Sequence, residues 1–299
     1  MGTIPMNRVM ERLDRLNAAN DPAGARRHLL YWLEEARLAG DERAQLTICN
    51  ELMGMFRLAG DGDNAIKCAE EAIALVDRLG IGDTVAAGTV HVNCGTVYTA
   101  FGRPSDAMKH YESAAAIYEA RFATPEQGGS RQSDNGTSAA EGSGKPAADA
   151  RVGSLYNNMA ACLTAAGEYG KAEKAYGKAL SVMETVPGSE PERAITMLNL
   201  ADLLRTAYGL AEACERIDEC TQKAHDLLET EGVPRDTNYA QVCGKCAPVF
   251  ELFFGTLHSD GYIFPFVLCL SLFFFSQLFV RPLLITVLVF SLSDGTNLF

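Results

Sequence analysis

Three slots recur along this chain at fixed separations, and no other feature narrows its possible folds as much. In residues 153–183 they hold Ala160, Ala172 and Ala179, twelve and then seven positions apart. Upstream the same slots hold Gly95, Ala107 and Ala114, and before those Met53, Ala65 and Ala72; downstream they hold Ala201, Ala213 and Cys220. Corresponding alanines stand 42 residues apart from 65 to 107 and 41 apart from 172 to 213. A period of that length marks stacked helical hairpins, each hiding its apolar face against its neighbours. Large residues (Tyr156, Met159, Leu163, Tyr176) surround the small ones at the i, i+3, i+4, i+7 spacing of an amphipathic helix. Between the two helices, Gly60, Gly102 and Gly167 stand where a helix favours a left-handed ending.

A small first-helix residue, a turn glycine and two second-helix alanines with an aromatic between them (Tyr111, Tyr176) resemble the tetratricopeptide repeat family. The long period and the string Tyr156-Asn157-Asn158-Met159-Ala160 are most similar to the long-repeat subgroup that includes kinesin light chains. The resemblance spans about 35 to 235. It implies an all-α fold, a right-handed α-α superhelix, acting as a non-catalytic scaffold that binds a protein or peptide segment in its concave groove. Such a fold does not specify the partner.

Residues 1–40 are expected to form a divergent capping helix pair, with Asp21 capping the second helix ahead of Pro22. Two repeats follow in 41–122. Two more, with the start of a fifth, occupy 150–250. The stretch between them, 123–149, is rich in Gly, Ser and Pro and almost without large apolar residues, which predicts a disordered insert. The polar start, Met1 to Asn20, gives no secretory signal, so the sequon at Asn135 is read as chance. The tail, 251–299, turns hydrophobic, and 262–280 carries no charge over a length able to cross a bilayer. Two readings of it stand. It is a membrane anchor with cytosolic repeats, or it is not a native continuation of a cytoplasmic protein. Leu, Phe and Ser codons are pyrimidine-rich, so the 269–277 run has the look of a translated splice-acceptor tract.

The net charge of −12, with no basic stripe, argues against nucleic acid as a partner. Cysteines scatter singly at helix slots. The pair Cys243 and Cys246 is read as helix packing, a metal site being the alternative, because Cys214 and Cys220 complete no common zinc spacing. The histidines (His28, His91, His110, His225, His258) read as isolated, and no glycine-rich phosphate loop follows a strand. No catalytic residue, cofactor or metal is expected.

An asparagine series remains. Two residues before the first-helix slot stand Asn93, Asn158 and Asn199, with Glu51 in the earliest copy. A side-chain amide offers donors and an acceptor, so it can bond a peptide backbone in both directions. The resemblance places this slot in the concave groove, with Tyr98, Thr99, Thr164 and Arg205 nearby and with Asn157 and Asn50 at its edge. A carboxylate clamp for acidic chaperone tails needs basic residues beside the asparagines. Thr89, Ser154 and Ile195 stand four positions before them instead, so that ligand does not fit.

Overall fold

The computed structural model describes residues 3–122, 149–235, 239–240, 242–244 and 246. Among them every regular element is an α-helix and there is no strand. The helices pair as α1 (Met6–Ala18) with α2 (Pro22–Ala39), α3 (Glu42–Leu58) with α4 (Gly62–Arg78), and α5 (Val85–Ala100) with α6 (Pro104–Phe122). Two further pairs follow: α7 (Ala150–Ala165) with α8 (Tyr169–Met183), and α9 (Glu190–Tyr208) with α10 (Leu210–Leu228).

Local chemistry sets the boundaries. Asp21, Asp41 and Asp61 stand at the N-caps of α2, α3 and α4 and accept from the amides of Gly24, Ala44 and Asn64. Each satisfies a donor that the first turn leaves unbonded. Thr84 and Asp149 cap α5 and α7 in the same way. Asp41 also accepts from the Ile4 amide at 3.0 Å, tying the start of the chain to α3. Gly102, at φ 70°, closes the turn between α5 and α6 in a conformation that a side chain would strain.

The chain forms two compact units, one ending at Ser189 and one beginning at Glu190. In the first, α2 packs on α3, α4 on α5 and α6 on α7, so each hairpin's second helix meets the next hairpin's first. The first helices also touch in series, α3 with α5 and α5 with α7, and so share one side of the unit. Its continuous core runs from Val9 and Leu29 through Ile48, Leu75 and Tyr111 to Leu155 and Cys162. In the second unit α9 packs on α10. Ala194, Leu198, Ala224 and Leu228 there enclose Tyr239, Val242, Cys243 and Cys246.

The slots behave as packing positions. Ala65, Ala72, Ala107, Ala114, Ala160, Ala172, Ala179 and Ala201 have no exposed surface. A Cβ on Gly95 would lie 2.4 Å from Tyr111 Cε1, one on Gly88 2.4 Å from Tyr118 Cε1, and one on Gly153 2.3 Å from Met183 Cγ. A large second-helix side chain therefore rests directly on first-helix backbone, and only glycine leaves it room.

The insert over 123–148 and the tail, with its transmembrane-grade stretch 262–280, lie outside the described residues. Among the described residues no helix is long and apolar enough to cross a membrane.

Candidate functional site

The side of the first unit shared by α3, α5 and α7 carries the asparagine series, and the structure divides that series. Asn93 Nδ2 donates to Asn50 Oδ1 at 2.9 Å, across the α3–α5 seam. Asn93 is thus a bond between successive repeats, and Asn50 is its acceptor. Asn158 holds the equivalent position on α7. The position matching Asn50 one repeat later is Val92, which has no polar atom to offer. Asn158 is half-buried, and its amide has no hydrogen-bond partner among the described residues. In the earliest repeat Glu51 fills this slot, and burial, aided by the charge of Asp14 on α1, raises its carboxyl above the usual range.

Helical geometry decides what accompanies the asparagines. At about 100° per residue, Thr89 and Thr96 lie within roughly 60° of Asn93, whereas Tyr98 and Thr99 lie about 120–140° away. The Thr96 hydroxyl donates to the Asn93 carbonyl at 2.7 Å. Tyr98 is buried, stacked on His110 at 5.3 Å with the Arg103 guanidinium 4.7 Å from its ring centroid. The Thr99 hydroxyl turns inward, to the Gly95 carbonyl at 2.9 Å and the Tyr111 hydroxyl at 3.3 Å. Thr164, its equivalent, donates to the Ala160 carbonyl at 2.8 Å. The structure therefore does not bring Tyr98, Thr99 and Thr164 onto the asparagine side; Thr89 and Thr96 on α5 and Ser154 on α7 hold it instead. In the second unit Asn199 is half-buried on α9, and exposed Arg205 is bonded to Asp202 on its own helix at 2.7 Å.

Two of the histidines are not isolated, as the sequence alone suggested. His91 Nδ1 and His110 Nδ1 share a hydrogen bond of 3.0 Å, because the hairpin turning at Gly102 folds α6 back along α5. Burial lowers the pKa of His91 against the opposing pull of Asp77. Burial, then His91 itself, lowers that of His110. A lowered pKa means that the folded state favours neutral rings, so their contribution is complete above the unfolded value near pH 6.5 and is lost as pH falls through the folded values. Urea melts between pH 7.5 and 5 are therefore expected to show falling stability on acidification, less steeply in a His91→Gln, His110→Gln protein. An equal slope in both proteins would remove these rings from the account.

Among the described residues no group of three or more His, Cys, Asp or Glu side chains is placed to hold a metal ion. Cys243 and Cys246 are buried in the core of the second unit, in no disulfide. Burial pushes the Cys94 thiol up to about 12, so it packs as a neutral group.

Paired helices that stack through one another within the first unit define a helical-repeat protein. The repeats are tetratricopeptide repeats: the family's profile matches residues 47–120 and 151–216. Solved structures with the same fold include BtubC (BKLC) from P. vanneervenii, 16% identical over 78% of this chain and 84% of that one, with a TM-score of 0.58. Another is a protein of Podosopora anserina assigned as a kinesin light chain with nearly identical TPR-like repeats. It is 14% identical over 76% of this chain and 97% of its own, with a TM-score of 0.55. No curated protein matches the chain by sequence.

Proposed function

We propose that this chain is a non-catalytic scaffold whose first-helix side holds an extended segment of a protein partner, with Asn158 as its central contact. The observation that carries this reading is the unpartnered, half-buried amide of Asn158, in the repeat where Val92 removes the acceptor that Asn93 finds in Asn50. An extended segment has a donor and an acceptor to satisfy at each residue, and one amide meets both. Asn93, already bonded, contributes chiefly to the seam, and Asn199 holds the equivalent slot on α9 in the second unit. The uncharged stretch 262–280 favours a second reading, in which the same scaffold is tethered to a membrane with its repeats facing the cytosol.

Peptides selected against the full chain from a displayed random library supply the ligand for the test. Asn158→Ala is expected to weaken the selected peptides about ten- to a hundred-fold, because a buried backbone group left unpaired costs about 1–3 kcal/mol. Its melting should match the parent. Asn93→Ala should behave in the opposite way, losing about 0.5–1.5 kcal/mol of stability with the Asn50 bond. An Asn158→Ala protein with a lowered melting temperature and parental affinity would sink the reading.

A further inference from the structure

A second surface lies on the other side of α7. At about 100° per residue, Tyr156 and Leu163 stand some 140–160° around the helix from Asn158. They floor a groove of about 530 Å³ between α6 and α8. Its remaining floor is Met108, Met159 and Ala175, an apolar strip whose two thioether side chains adapt readily to an occupant. Residues 105–112 of α6 and 171–178 of α8 line it across residues 156–163 of α7, and both walls run antiparallel to α7, hence in the same direction as each other.

The walls differ in charge. The α8 wall carries Lys171, Lys174 and Lys178, three of the eight lysines in a chain of net charge −12, with Glu168 at its start paired to Lys171 and Lys174 left as its unpaired cation among the described residues. Facing it on α6 is Glu112, with Glu119 seven residues further on. Lys174 and Glu112 are exposed and have no ion-pair partner among the described residues. At the far end the walls are tied together. The Tyr156 hydroxyl donates to Glu119 at 3.0 Å, and Lys178 donates to that hydroxyl, with its ammonium 4.1 Å from the ring centroid. The tie fixes the spacing of the walls and closes one end. The open part, from Ser105 to about residue 116, is roughly three helical turns long at 1.5 Å per residue.

The exposed wall residues are Ser105 and Glu112 on one side, with half-buried Met108 between them reaching the floor, and Lys171, Lys174 and Lys178 on the other. An apolar floor about three turns long, with a basic wall on one side and an acidic wall on the other, matches a third helix whose apolar stripe lies between an acidic and a basic edge. We propose that this groove docks a short amphipathic α-helix from a protein partner. Its apolar stripe rests on the methionine floor, its acidic edge faces the α8 lysines, and its basic edge faces Glu112. This docking is independent of the peptide-holding side.

The test uses three synthetic 16-residue helical peptides that share one leucine stripe. The first carries Glu on one edge and Lys on the other, the second Glu on both, the third Lys on both. Binding to the full chain is followed by fluorescence anisotropy. The bipolar peptide should bind at least ten-fold tighter than either of the others. In a Lys171→Glu, Lys174→Glu protein both walls are acidic, so preference should pass to the all-Lys peptide, a switch that a misfolded protein cannot produce. Binding of library peptides sensitive to Asn158 should be unaffected, which separates a failure here from a failure of the first-helix side. The proposal is overturned if no peptide binds, if the all-Glu peptide binds as well as the bipolar one (a general anion site), or if preference does not switch.

Discussion

Tyr111→Ala is expected to destabilise the first unit by about 3–5 kcal/mol, the range for removing a buried aromatic side chain. The ring is 1% exposed and rests against the backbone of Gly95, and its hydroxyl meets Thr99 at 3.3 Å. Gly95→Ala alone should also destabilise, by about 1–3 kcal/mol, because its new Cβ would lie 2.4 Å from the ring. Together the two changes should cost less than their sum, since the alanine methyl enters space that the ring has vacated. Urea denaturation of the four proteins measures the coupling. Simple additivity would mean that ring and glycine do not share that space.

Leu155→Ala is the second large effect, expected at about 2–5 kcal/mol for a fully buried leucine. Its interest lies in where the loss falls. Leu155 and Cys162 are the α7 residues that join the core continuing through α1 to α6. In an array stabilised by neighbour interfaces, weakening one interface uncouples what lies beyond it. The thermal transition should therefore broaden or split, with α7 and α8 melting first, whereas Tyr111→Ala weakens the interior of a hairpin. Amide exchange in Leu155→Ala that quickens uniformly over both hairpins would contradict this picture.

The helices were legible in the sequence because packing slots leave a mark that repeats. Small residues at 65, 72, 107, 114, 160, 172 and 179 are unexposed, as the period required. The capping role of Asp21 was legible too, from its place before Pro22. What escaped was pairing between different positions. A repeat comparison aligns Asn93 with Glu51 and Asn158, its equivalents, but the bond runs to Asn50, one residue off that register. The contact of His91 with His110 is set by reflection about the turn at Gly102, a relation that translation along the chain does not test. Tyr98 and Thr99 stand five and six residues along the chain from Asn93 but about 120–140° around the helix from it. Counting helical angle instead would have selected Thr89 and Thr96.

The glycine-and-ring contacts bear on how such a chain can be recombined. In α5 and α6 the backbone side is Gly95 and the large side Tyr111; at the corresponding places in α3 and α4 stand Met53 and Ala69. Bulk has crossed from one helix to the other, and all four positions are buried. A chimera joining α3 to α6 would bring methionine against tyrosine, and one joining α5 to α4 would leave glycine facing alanine across a void. Exchange of single helices between repeats is penalised in both directions, by crowding or by a cavity. The hairpin, with its knob and its own hole, is the smallest piece that travels intact.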